Sequence, residues 1–358
     1  CWVTGAPEPS SEVVKNVFIV GEQRSGSNLL RLMLNQSDEL ACPHPPHFLE
    51  RLHPLLNRYG DLQQEGNFQE LADDLVELIR RNPVRWEGFD LEGADLAARC
   101  SKRSLFALKG AAMDRYAELR GAEEGWVCKS MQNVRWFQEI EGSFERPLYV
   151  HLYRDPRDVC ASFLKAVVGS KHPYLISRKW TELQELCLDL KEKAPDRYWG
   201  VSYEWLIERP EKELRALCGF LGIRFTDSML EFHRSDEAVQ ASRTSSLWKN
   251  VSRPLMTRNF RKFDKALDRD ALGYVEKVAG DVMKKLGYRP VLDPSELESI
   301  EVGDADLAAM RKEDEQGRIR IEESMNAKDK ETRAFQSDLI EEIASRPSRL
   351  EGPELLLA

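Results

Sequence analysis

Apolar positions along this chain fall into two kinds of pattern, short runs rich in β-branched residues and longer stretches at helical spacing. Val17-Phe18-Ile19-Val20 is a continuous apolar run closed by Gly21, after which Leu29, Leu30, Met33 and Leu34 recur at helical spacing. The segment reads as strand, tight turn and helix. Apolar runs at 125–130, 147–153 and 198–204 read as further strands. Helical stripes separate them: Leu49, Leu52, Leu55 and Leu56, then Leu71, Leu75, Leu78 and Ile79, within 48–81; a long helix over about 175–193; and an amphipathic helix over 206–221 that stops at Gly222. Strands alternating with helices at these intervals predict an α/β fold, a doubly wound parallel sheet with helices on both faces.

The remaining stretches are less regular. Residues 1–14, with Pro7 and Pro9, read as an irregular lead-in, and 15–292 as the main domain. Residues 83–120 mix short amphipathic helices with turns and are expected to lie over the sheet as a helical cap that shapes an acceptor pocket. Beyond Pro290 apolar positions become sparse, so 293–358 reads as a charged, helical C-terminal extension, with one or two exposed helices in 304–345. Such an extension could form a homodimer or dock a partner.

Composition narrows the class. A chain of 358 residues with 42% hydrophobic content can bury a sizeable core. The net charge of −9 argues against nucleic-acid binding, which needs a broad basic face. No apolar run reaches the length of a membrane span and no signal peptide is visible. The seven cysteines are spread without metal-ligand spacing, which fits free thiols in a reducing compartment and no metal site. A cytoplasmic, bacterial-type protein is the expectation. Because the chain opens on Cys1, a missing N-terminus is also expected, and a lumenal domain parted from its anchor stays open.

The chemistry starts at the Gly21-to-Gly26 turn. Backbone N–H groups at the start of the following helix are unsatisfied and sit at the positive end of its dipole, so the turn suits a phosphate-like anion. A Walker loop would place Lys and Ser/Thr where this chain has Ser27 and Asn28, and the cation stands instead at Arg24. An arginine fork suits an oxyanion held directly by protein. Arg154 follows the apolar run at 147–153, with Asp155 as helix N-cap and Pro156 in the first turn. The carboxyl ends of parallel strands face ligands, so Arg24 and Arg154 are expected in one crevice. Arg157 reads as a surface or supporting residue. His44 and His47 sit in a stiff loop with Pro43, Pro45 and Pro46, Lys129 ends the run at 125–130, and His151 reads as core. The basic stretch 243–265, with Arg243, Lys249, Arg253, Arg258, Arg261, Lys262 and Lys265 against Asp264 alone, reads as a solvated face or as a flap over a phosphate.

Together these segments resemble sulfotransferases that use 3′-phosphoadenosine 5′-phosphosulfate (PAPS), on a P-loop-type sheet. Gln23-Arg24-Ser25-Gly26-Ser27-Asn28 is similar to that family's 5′-phosphosulfate loop, Pro-Arg-Ser-Gly followed by two Ser/Thr. Arg154 and Ser162 have the spacing of its 3′-phosphate motif, Tyr203 in Val201-Ser202-Tyr203-Glu204-Trp205-Leu206 resembles the tyrosine that borders its adenine site, and Ser246, Lys249 and Asn250 fall where it places its last phosphate-binding flap. The pattern looks like the tyrosylprotein-sulfotransferase-like and bacterial branch, yet its Cys-Gly-Glu-Glu-Thr segment, which carries the general base, is here Cys42-Pro43-His44-Pro45-Pro46-His47.

The resemblance implies metal-independent, in-line sulfuryl transfer from PAPS to an acceptor hydroxyl or amine, small or carrier-bound, releasing 3′,5′-ADP. Arg24 and Lys129 would meet the phosphosulfate, and His44, or failing that His47, would take the proton. His172 is a weaker candidate. The rivals are a P-loop phosphotransferase and a nucleotide-binding scaffold without turnover.

Overall fold

The computed structural model describes residues 15–245 and 248–350. Five strands, β1 (Lys15–Gly21), β2 (Leu40–Ala41), β3 (Gly125–Cys128), β4 (Leu148–Tyr153) and β5 (Tyr198–Ser202), form a sheet in the order β2-β3-β1-β4-β5. Every pairing is parallel, and central β1 registers Val17 with Val127 and Leu148. Helix α1 (Ser27–Leu34) follows β1; α2 (Phe48–Leu52), α3 (Glu65–Arg80), α4 (Gly93–Ala98) and α5 (Leu105–Arg120) lie between β2 and β3; α6 (Phe137–Ser143) precedes β4; α7 (Pro156–Phe163) and α8 (Pro173–Lys193) lead to β5. After β5 come α9 (Tyr203–Glu208), α10 (Pro210–Leu221), α11 (Asp236–Thr244), α12 (Phe263–Ala266), α13 (Arg269–Lys285), α14 (Pro294–Glu298), α15 (Asp304–Ser324) and α16 (Ala327–Ser345).

β1 is apolar throughout because both its faces are covered. Val17 and Ile19 join one core with Leu30, Met33, Leu214 and Leu217, whereas Phe18 and Val20 join another with Leu71, Leu108 and Leu183. A third cluster ties α7 and α8 to α13 through Val159, Trp180 and Val275. The expected P-loop-like, doubly wound parallel sheet is the fold observed.

Three local expectations change, and a fourth is narrowed. The helical pattern over 48–81 divides: the chain passes from α2 into a 3₁₀ turn at His53–Arg58 and resumes helix only at α3. The helix expected over 206–221 divides into α9 and α10, because Pro210 disfavours helical backbone at Arg209, which adopts φ −140° and ψ 57°. Of the two readings of Arg157 the supporting one holds: it is buried, its guanidinium held by Asp155 at 2.6 Å and Glu276 at 2.7 Å. Finally, α16 is not an exposed arm. Leu339 and Ile343 are buried in the same core as Phe18, and Arg346 just beyond the helix donates to Asp74 Oδ1 at 3.0 Å on α3.

Candidate active site

The β1–α1 turn is built for close approach. Gly26 adopts φ 89°, where a side chain is strained, and a Cβ there would stand 2.4 Å from the Tyr203 ring. Arg24 also has positive φ, 67°, a conformation costing a non-glycine residue roughly 1–2 kcal/mol. This geometry turns its guanidinium so that Nε donates to Ser162 Oγ at 3.0 Å on α7. Arg154, leaving the carboxyl end of β4, donates from Nη1 to the Arg24 carbonyl at 3.1 Å and from Nη2 to the Asn259 carbonyl at 3.0 Å. Its guanidinium lies 4.4 Å from the Tyr203 ring centre, and Asn259 Nδ2 donates to the Tyr203 hydroxyl at 2.6 Å. The two arginines therefore meet in one crevice. Burial, and then Arg154, pull the Arg24 guanidinium below its ordinary pKa. Four buried polar atoms here, Ser25 Oγ, Asn28 Oδ1, Arg154 Nε and Asn259 Oδ1, have no partner among the described residues.

Facing the turn is the proline-rich loop, and α1 fixes where it starts. Arg31 Nη1 donates to the Cys42 carbonyl at 2.7 Å, and the Cys42 amide donates to Asn35 Oδ1 at 3.0 Å. His44 is 5% exposed. Its carbonyl accepts from Asn82 Nδ2 at 2.9 Å and Trp86 Nε1 at 2.7 Å, and its Nδ1 lies 3.3 Å from Asn82 Oδ1. Burial, with Arg31, Lys129 and His47 nearby, pushes the His44 pKa well below its ordinary value. His47 takes φ 63°, and its Nδ1 lies 3.1 Å from Glu50 Oε1, whose Oε2 accepts from Gln132 Nε2 at 2.8 Å. Burial lowers the His47 pKa although Glu50 opposes it. Against burial, His47, Lys179 and Lys129 hold Glu50 below the usual carboxylate range. Lys129, just past β3, is pushed down to about 7 by burial and by Arg31 and Arg24, against the pull of Glu50.

Arg24, Arg154, His44, His47, Glu50 and Lys129 line one cavity of about 840 Å³. Among its described lining residues nine are basic and three acidic, so an acidic chain concentrates positive charge here. Gln23, Arg24, Gly26, Ser27, Asn28, His44, His47, Lys129, Arg154, Ser162, Tyr203 and Asn250 all line it; Ser25 is buried behind the turn. Lys249 is exposed and stands outside the lining, where Arg253 and Lys262 of the same basic stretch take its place. Ser246 lies outside the described residues. His151 is in the core, bonded to Tyr198 and Gln184, as expected. His172 caps α8 and stands outside the lining. Of the expected cap, Pro83 alone reaches the cavity; Arg51 of α2 and Thr332, Arg333, Gln336 and Ser337 of α16 form that wall instead.

Sequence reasoning missed Glu50, Asn82, Glu22 and α16. Glu50 stands three residues after His47, one helical turn away, a spacing that brings two side chains together. Glu22, between Gly21 and the loop arginine, lines the cavity at 1% exposure, and burial raises its carboxyl to about 7.

Comparison with known proteins defines the class first: an α/β transferase on a P-loop-like sheet. A model of the sulfotransferase family matches residues 16–227, more than half of the chain, and the chain belongs to that family. The sulfotransferase domain from the curacin biosynthetic pathway is 22% identical, with a TM-score of 0.54 over 78% of this chain and 99% of that one. The sulfotransferase domain from the Synechococcus PCC 7002 olefin synthase is also 22% identical, with a TM-score of 0.50 over 77% of this chain and 98% of that one. Protein-tyrosine sulfotransferase A of Caenorhabditis elegans is 22% identical over 289 residues, covering 78% of this chain and 68% of that protein. An uncharacterized protein of Aquifex aeolicus (strain VF5) is 20% identical over 70% of this chain, which spans 31% of that protein.

Proposed function

We propose that this protein transfers a sulfuryl group from PAPS to an acceptor hydroxyl or amine and releases 3′,5′-ADP. The observation that carries the reading is the meeting of Arg24, Arg154 and Ser162 at the Gly26 turn, with Arg154 Nε and Ser25 Oγ buried there without partners among the described residues. An anion at this place would satisfy polar atoms left unpaired among the described residues, each costing about 1–3 kcal/mol. PAPS supplies an already activated sulfuryl group. The protein's tasks are alignment, charge stabilisation and proton removal.

In this reading Arg24 and the α1 amides hold the 5′-phosphosulfate, Arg154 and Ser162 hold the 3′-phosphate, and Tyr203 borders the nucleotide. Lys129 offsets charge on the leaving phosphate or the transferring group. As the new S–O or S–N bond forms and the phosphosulfate S–O bond breaks, the acceptor's proton passes to His44, or failing that to His47. Relatives of this chain are named protein-tyrosine sulfotransferases. The Glu-Glu segment of that branch is replaced here by Pro and His, which favours a small or carrier-bound acceptor over a protein tyrosine.

The test is transfer of label from ³⁵S-PAPS to an acceptor panel of phenols, alkyl alcohols, saccharides and carrier-bound hydroxy acids, with Arg24→Ala as control. Label transfer that the variant abolishes supports the proposal. Transfer from γ-labelled ATP with none from PAPS would favour the phosphotransferase, and no turnover with retained nucleotide binding would favour the scaffold.

A further inference from the structure

Helix α16 lies outside the residues that the family model matches, yet it supplies a wall of the cavity. Its Gln336, 5% exposed, donates from Nε2 to the Leu78 carbonyl and to Asn82 Oδ1, both at 3.3 Å. Asn82, 4% exposed, uses its Nδ2 for the carbonyls of His44 at 2.9 Å and Val84 at 2.8 Å. A carbonyl can only accept, so the Asn82 amide has one workable orientation: Nδ2 towards the two carbonyls, Oδ1 towards His44. Oδ1 in turn can only accept, so the ring nitrogen 3.3 Å away, His44 Nδ1, carries the hydrogen. The proton-bearing nitrogen is thus decided by groups on α3, the turn after it and α16. Nε2 remains as the lone-pair acceptor of a ring that lines the cavity.

We infer that α16 is a working wall of the acceptor side, and that Gln336 and Asn82 are positioning residues holding His44 as its Nδ1–H tautomer, so that Nε2 takes the acceptor's proton. This rests on the sulfotransfer reading. The proton leaves the acceptor oxygen or nitrogen for Nε2 as the bond to sulfur forms. The imidazolium keeps its Nδ1–H on Asn82 and later gives the Nε2 proton to water; neither amide gains or loses a proton. A neutral amide orienting a base histidine is the arrangement of Cys-His-Asn proteases. The charged and titratable groups acting on the ring are Arg31 from α1, Lys129 after β3, and His47 on its own loop. Together with burial they keep it neutral and able to accept. His47 is held in the same sense, its Nδ1 facing Glu50 Oε1, a charged partner where His44 has a neutral amide.

The experiment is long-range ¹H–¹⁵N correlation spectroscopy of ¹⁵N-histidine-labelled full chain, with His44 assigned by His44→Gln. Asn82→Leu is the direct variant, but it removes the donors to two buried carbonyls. Gln336→Met leaves them in place and keeps the side chain's length. The expected result is an Nδ1–H tautomer in the wild type and a partial shift towards Nε2–H in Gln336→Met, where Asn82 keeps its two carbonyls and loses the donor to its Oδ1, with unchanged 3′,5′-ADP affinity. Its kcat should fall about tenfold, a part of the roughly 10²–10⁴-fold that general base catalysis supplies. An Nε2–H tautomer in the wild type, or a Gln336→Met protein with unaltered tautomer and kcat, would overturn the inference. Failure of 3′,5′-ADP to bind the wild type would instead count against the sulfotransfer reading, and the tautomer spectra would still decide the positioning claim.

Discussion

Tyr203 closes on Gly26 so tightly that a Cβ at position 26 would stand 2.4 Å from its ring. The ring thereby backs the anion turn and the Arg154 guanidinium at once. Gly26→Ala should therefore destabilise the fold by roughly 1–3 kcal/mol, through the clash and the φ of 89°, and weaken 3′,5′-ADP binding. A double variant with Tyr203→Leu should recover part of the stability, because it relieves the clash and leaves the φ strain. Chemical denaturation of the two single variants and the double one measures the coupling. Additive losses would show that the contact is not what excludes a side chain at 26.

Lys129, with its pKa pushed down to about 7, should make donor binding proton-coupled. Above pH 7 the amine is largely neutral in the empty cavity, and an anion brought beside it raises its pKa again, so binding takes up a proton. Uptake should grow from pH 6 to 8 and approach one proton, and affinity should fall as pH rises through that window. Calorimetry of 3′,5′-ADP binding in buffers of different ionisation enthalpy reads the uptake directly. Lys129→Met should abolish it.

Glu22 offers a test on stability rather than binding. Burial raises its carboxyl from 4.5 to about 7, with Lys179 and the Gln23 amide opposing. The unfolded chain ionises at the lower value while the folded chain keeps its proton, so the residue costs nothing below pH 4.5. Its penalty grows between 4.5 and 7 and stays constant above, at a size on the order of 3 kcal/mol. Glu22→Gln should leave stability unchanged at pH 4.5 and raise it at pH 8, as followed by urea midpoints. Equal effects at both values would place the carboxyl's ionisation elsewhere.

Some of this architecture was legible because local chemistry and tertiary role agree. The 17–20 run is apolar because β1 is covered on both faces. Asp155 caps α7 by accepting from the Arg157 amide at 2.9 Å, and Gly222 ends α10 at φ 64°. The arginine at the end of β4 meets the β1 turn because parallel strands deliver their carboxyl ends to one side. Elsewhere the signal was too short or masked. β2 has two residues, below any periodicity. Glu50 reads as one charge among the helical leucines, and its partner His47 belongs to the preceding loop. In α16 the abundance of charge hides a buried stripe, Gln336, Leu339 and Ile343, whose spacing is that of one helix face. Asn82 acts only through atoms from three separate segments, which no local pattern can disclose.

The central claim is that the Arg24–Arg154 crevice binds the bisphosphate nucleotide end of PAPS, and calorimetric titration with 3′,5′-ADP, beside magnesium-ATP, tests it most directly. Wild type should bind 3′,5′-ADP without magnesium. Arg154→Ala, checked for an unchanged melting transition, should bind it at least about thirtyfold more weakly, the loss expected when one partner of a buried charge pair is removed. Preference for magnesium-ATP, or an Arg154→Ala affinity equal to that of the wild type, would contradict the account.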